Sequence, residues 1–113
     1  MRLYRNIGIY VSDSNVHGYG VFTDVFIKKG EIIEECSCID LMSDIETFST
    51  TRIYNYLFPY EGVLYLPIGL CLSLNSSTDI NVEFEFDLTR KVIIFKALKD
   101  INPGEELFIH YYF

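Results

Sequence analysis

Val82-Glu83-Phe84-Glu85-Phe86-Asp87, followed through Leu88-Thr89-Arg90 by Val92-Ile93-Ile94-Phe95, carries the fold class. Val82, Phe84 and Phe86 alternate with acidic residues, the period of a strand with one buried face. A polar turn then returns the chain into a second apolar run, so the pair reads as a hairpin. Downstream, Asn102-Pro103-Gly104 is a turn, because Pro presets φ at its second position and Gly accepts a positive φ at its third. Leu107 to Tyr111 follows as a further strand. Upstream, Ile7 to Val11 alternates into a short strand, and His17-Gly18-Tyr19-Gly20 is a flexible turn feeding Val21-Phe22. Ile27-Lys28-Lys29-Gly30 turns the chain into a longer strand from Glu31 to Ile39. One helix interrupts the pattern. Ser43 and Glu46 form a capping box, Ile45, Phe48, Arg52, Ile53, Tyr56 and Leu57 recur at helical spacing, and Pro59 ends it. The expectation is a mostly β chain with one or two short helices.

The chain has 113 residues, which is the size of one domain spanning 1–113. Size scaling gives a folded surface of roughly 6,400 Å² and burial of about two-thirds of the chain's surface, enough for a core without disulfides or metal. Nine Lys and Arg against sixteen Asp and Glu leave a formal charge of −7. That balance disfavours direct contact with nucleic acid, where phosphate binding draws on clustered basic residues. It favours solubility or attraction of a basic, Lys-rich partner. No apolar run approaches the ~18 residues of a membrane span, and the first residues lack the apolar stretch of an export signal. With three cysteines, an odd number, this points to an intracellular, reducing location. Cys36, Cys38 and Cys71 lack the spacing of a zinc site and read as buried small apolar side chains. His17 and His110 are far apart, no triad is visible, and Glu105-Glu106 after a Pro-Gly turn reads as a solvated rim.

The ordered combination says more than any piece. Gly18-Tyr19-Gly20-Val21-Phe22 precedes Lys29-Gly30-Glu31-Ile32-Ile33-Glu34-Glu35. Tyr56-Leu57-Phe58 stands mid-chain, then Leu74-Asn75-Ser76-Ser77 with Asn81 a few residues on. Pro103-Gly104-Glu105-Glu106-Leu107-Phe108-Ile109-His110-Tyr111 closes the series. In this order and spacing the sequence resembles the SET domain family of protein lysine methyltransferases, over about Ile7 to Tyr111, and in size the stand-alone viral-type members. The resemblance implies a β-clip fold of small sheets whose C-terminal segment threads under a preceding loop as a pseudoknot. It implies S-adenosylmethionine as cofactor, S-adenosylhomocysteine as product, no metal, and a lysine on a basic, histone-like protein segment as substrate. His17, Gly18, Tyr19 and Gly20 fall on the family's cofactor loop, Asn75 and Ser76 on its Asn-His cofactor pair, and Tyr111 on its catalytic tyrosine. Tyr19, Tyr56 and Tyr111 would line the lysine channel.

The departures are specific. Ser76 stands where most members have His, and Tyr112-Phe113 stands where the family continues with Gly and a tail that covers the site. An aromatic Tyr-Tyr-Phe segment calls for burial or a partner, and a homodimer is the expectation. The alternative reading is a degenerate SET module that binds a peptide or protein without catalysis.

Overall fold

The computed structural model describes residues 1–41 and 56–110. Their strands are β1 (Ile9–Asp13), β2 (Tyr19–Thr23), β3 (Ile32–Asp40), β4 (Phe58–Tyr60), β5 (Val63–Ile68), β6 (Asn75–Ser76), β7 (Val82–Asp87), β8 (Val92–Ala97) and β9 (Glu106–Ile109). A 3-10 turn, Leu70–Ser73, links β5 to β6. No α-helix occurs among the described residues, and the helix expected over 43–57 falls almost wholly outside them.

The strands form two sheets, ordered β4-β5-β3-β8-β7 and β1-β2-β9-β6. In the larger sheet the expected hairpin is β7–β8, with Phe84 opposite Phe95 and Phe86 opposite Ile93. This sheet curls until rings on its two edge strands meet. Phe58 of β4 sits edge-on to Phe84 of β7 at 4.8 Å between centroids, and Tyr60 stacks on Phe86 at 4.7 Å. Such ring pairs stabilise beyond the area they bury. Together with the core residues Phe95, Ile33, Val82 and Ile93 they close one side of the molecule.

Two local readings are corrected. β1 begins at Ile9 rather than Ile7, because the buried Asn6 side chain accepts the Gly8 amide at 2.8 Å and turns the chain, leaving Ile7 98% exposed. The hairpin of β4 and β5 across Glu61-Gly62 was hidden behind Pro59, which sequence reading treats as a helix stop. Pro59 is tolerated in β4 because that strand is a sheet edge and its missing N–H breaks no ladder.

β3 carries a bulge against β8 between Ile32 and Glu34. A bulge adds a residue and shifts the alternation, so the neighbours Ile33 and Glu34 are both buried. Glu34 lies under the 3-10 turn. It accepts the Cys71 and Leu70 amides at 2.9 and 3.2 Å, the Cys36 thiol at 3.2 Å and Arg5 Nε at 2.6 Å. Burial opposes its ionisation, but these four donors outweigh burial and hold the carboxyl below its ordinary range. Cys36 and Cys71 are free and buried, as expected, and Cys38 is half-buried.

The smaller sheet positions the site. β9 lies between β2, antiparallel to it through Val21–Leu107 and Phe22–Glu106, and β6, parallel to it through Asn75–Phe108 and Ser76–Ile109. Asn81 fastens the far end of the same segment to β9. Its Nδ2 donates to the Glu106 carbonyl at 2.9 Å, its Oδ1 accepts the Phe108 amide at 2.7 Å, and its own amide donates to the Phe108 carbonyl at 3.2 Å. The segment 75–81 is thus tied to β9 at both ends, which is the threaded arrangement of the expected pseudoknot.

Candidate active site

The site begins with the loop between β1 and β2. The Ser14 amide donates to the Gly18 carbonyl at 2.8 Å, and Ser14 Oγ accepts the Val16 and His17 amides at 3.0 and 3.3 Å. Gly18 has φ +48°, and a Cβ built there meets nothing within 4 Å. A left-handed backbone with open space beside it lets a ligand approach the main chain closely.

Asn75 locks this loop from below. Its Nδ2 donates to the His17 carbonyl at 2.9 Å, the Tyr19 carbonyl at 3.2 Å and Glu106 Oε2 at 2.9 Å. All three partners are acceptors, so only an amide nitrogen fits. Glu106 also accepts the Ser14 hydroxyl at 2.8 Å. An Asn75→Asp variant sets a carboxylate against another carboxylate and two carbonyls. It should lose about 2 kcal/mol against about 1 kcal/mol for Asn75→Ala, despite its better shape, as denaturant unfolding would measure. Equal losses would mean that a carboxylate at this position meets no repulsion from the three acceptors.

His17, Gly18, Tyr19, Tyr56, Ser73, Leu74 and Asn75 line one cavity of about 270 Å³. Five sequence-selected residues from three separate segments therefore meet at a single place. Tyr19 and Tyr56 are 67% and 43% exposed, so their rings stand free to wall a ligand. Ser76, on the opposite face of β6, lines a second cavity of about 520 Å³ with Ser77, Thr78, Ile80 and His110. Gly20 is buried against Glu106 rather than lining either cavity. Tyr111 lies outside the described residues. Among the described residues, no group of three His, Cys, Asp or Glu is placed to hold a metal ion.

Sequence reading missed three contributors. Ser14 had no signal beyond being a small polar residue before a glycine turn. Glu34 stands in an acidic pair, Glu34-Glu35, whose sequence gives no sign that it is the acceptor under the turn that delivers Leu74 and Asn75. Glu106, expected at a solvated rim, instead binds Ser14 and Asn75, because β9 runs beneath the loop and not at a free edge.

The SET domain model matches residues 18–112. The chain belongs to the SET domain family. Among solved structures, this SET domain is similar to a candidate histone methyltransferase of Plasmodium falciparum, with 32% identity, a TM-score of 0.74 and 92% of each chain covered. It is also similar to the Polycomb Repressive Complex 2 of Chaetomium thermophilum. A humanized mutant bound to an inhibitor gives 28% identity and a TM-score of 0.72, covering 92% of this chain and 15% of that one. An autoinhibited form bound to S-adenosylmethionine gives 27% identity and a TM-score of 0.73, covering 93% and 15%. No curated protein sequence matches this SET domain. Membership supports a SET-type methyltransferase fold and S-adenosylmethionine as the cofactor class.

Proposed function

We propose that the protein is an S-adenosylmethionine-dependent protein lysine N-methyltransferase acting on a basic, Lys-containing protein segment of histone-like character. The observation that carries the reading is the convergence of the Gly18 turn, Asn75, Tyr19 and Tyr56 on one cavity beside the threaded strand β9. The cavity fits the cofactor's amino-acid end: open backbone at Gly18, a loop whose carbonyls at His17 and Tyr19 are already held by Asn75, and two aromatic rings. In this reading His17, Gly18, Tyr19 and Gly20 form the cofactor loop, with Asn75 and Ser76 beside it. Bound there, the cofactor would supply a methyl group on a sulfonium for a substrate amine, with the thioether as the leaving group.

The chain's own residues have three tasks. Tyr19 and Tyr56 desolvate the entering lysine, which lowers its pKa from the ordinary value of about 10.4 and lets the proton leave to water. Their ring faces also attract the sulfonium and the methylammonium product. Tyr111 orients the amine and the methyl with its hydroxyl, and alignment of this kind removes much of the barrier. The formal charge of −7 draws a Lys-rich segment toward the protein.

Titration of S-adenosylmethionine, and separately S-adenosylhomocysteine, into the purified protein by calorimetry tests the reading without a guessed substrate. One-to-one binding is expected, followed by transfer of labelled methyl to Lys-rich peptides. No heat with either ligand at two temperatures would overturn it. The replacement of the family's His by Ser76 would then be read as the mark of a non-catalytic peptide-binding module.

A further inference from the structure

Glu106 is the group on which the side-chain fastenings of the loop, through Ser14 and Asn75, converge. Its carboxylate accepts the Ser14 hydroxyl at 2.8 and 3.0 Å on its two oxygens, and the Asn75 amide at 2.9 Å on Oε2. Ser14 has one hydroxyl proton. Giving it to Glu106 leaves the oxygen's lone pairs to receive the Val16 and His17 amides. Asn75, held by the other side of the carboxylate, grips the His17 and Tyr19 carbonyls. One side chain on β9 therefore fixes the two side chains that shape the backbone from 14 to 19.

The two glycines of Gly18-Tyr19-Gly20 then differ in purpose. Gly18 faces open space, whereas a Cβ on Gly20 would collide with Glu106 Oε2, lie 2.9 Å from its Cδ and 3.1 Å from Asn75 Nδ2. The room left by the missing Cβ at Gly20 is filled by protein atoms. We propose that Glu106 is the positioning residue of the cofactor loop, and that position 20 is glycine to admit the Glu106 carboxylate rather than a ligand. The consequence for the cofactor rests on the reading above; the clamp itself does not.

The test compares Gly20→Ala, Glu106→Ala, the double variant and Glu106→Gln with the wild type. S-adenosylmethionine affinity is read by calorimetry, and amide hydrogen exchange at Val16 and His17 is read against the β7–β8 hairpin. Each single alanine variant should weaken binding about tenfold or more, the size of one charge-assisted hydrogen bond. The double variant should bind no worse than the weaker single one, since both changes break the same packing. Glu106→Gln keeps one acceptor but turns an NH2 on either Ser14 or Asn75, so its loss should fall between wild type and Glu106→Ala. Exchange at Val16 and His17 should quicken in both Glu106 variants while the hairpin stays unchanged. Multiplicative losses in the double variant, or unaltered exchange at Val16 and His17 in Glu106→Ala, would overturn the proposal. Should the wild type bind no S-adenosylmethionine, the cofactor reading fails and the exchange measurement alone decides the clamp. It also decides it if Gly20→Ala does not fold.

Discussion

Replacing Tyr111 by Phe is expected to slow methyl transfer by about two orders of magnitude, the size of the loss when the alignment of reacting groups is removed. The substitution deletes one oxygen and keeps the ring, so packing and aromatic lining survive. Cofactor affinity, which in our reading comes from the Gly18 turn, Asn75 and Ser76, should stay within about twofold. Initial rates on a Lys-rich peptide, paired with calorimetric binding of S-adenosylmethionine, separate the two effects. Unaltered turnover in this variant would remove Tyr111 from the mechanism. Lost cofactor binding would move it into the cofactor pocket.

Glu34→Ala should cost about 3–5 kcal/mol of stability, as for breaking a buried, fully hydrogen-bonded charge. Glu34 is 2% exposed, and its removal strands the Leu70 and Cys71 amides under the 3-10 turn. Arg5 is half-exposed and can turn to water, so the cost arises mainly at the amides. On a domain of this size the loss lowers Tm by something on the order of 15 °C. The same group gives a pH dependence. Its folded pKa is lowered from 4.5, so its contribution is complete above that value and disappears as pH falls below it. Glu35 and Asp87, both held down first by the Arg90 guanidinium, act in the same direction. Stability of the wild type should therefore fall below about pH 4.5, and that fall should be shallower in Glu34→Gln. Equal slopes would show that Glu34 does not titrate with unfolding.

Alternation made β7 legible, and an unbroken apolar run directly after a polar turn did the same for β8, which is buried on both faces. β4 and β5 escaped because Pro59 reads locally as a helix stop and hides the tight hairpin across Glu61-Gly62; only the edge position of β4 in the sheet makes a proline acceptable there. For the candidate site, the order of motifs supplied His17, Gly18, Tyr19, Tyr56 and Asn75, which the fold brings to one cavity. Ser14, Glu34 and Glu106 were illegible as contributors for a shared reason. Their partners are 92 residues away for Ser14 to Glu106 and 37 for Cys71 to Glu34, and a hydrogen bond across that span leaves no periodic trace.

The placement of β9 between β2 and β6 also dictates a time order. A strand bounded on both sides by earlier parts of the chain cannot dock until both neighbours exist, and the loops it closes are among the longest available. The entropy of closing a loop grows only slowly with its length, but it is lost before the contacts that offset it are made. A chain synthesised as far as β8 can already curl its larger sheet, yet its Gly18 turn has neither Glu106 nor the pairing that steadies Asn75. The loop that lines the cavity is therefore fully fastened only once β9 has docked, so in the newborn chain ligand-binding competence is expected to wait for that strand.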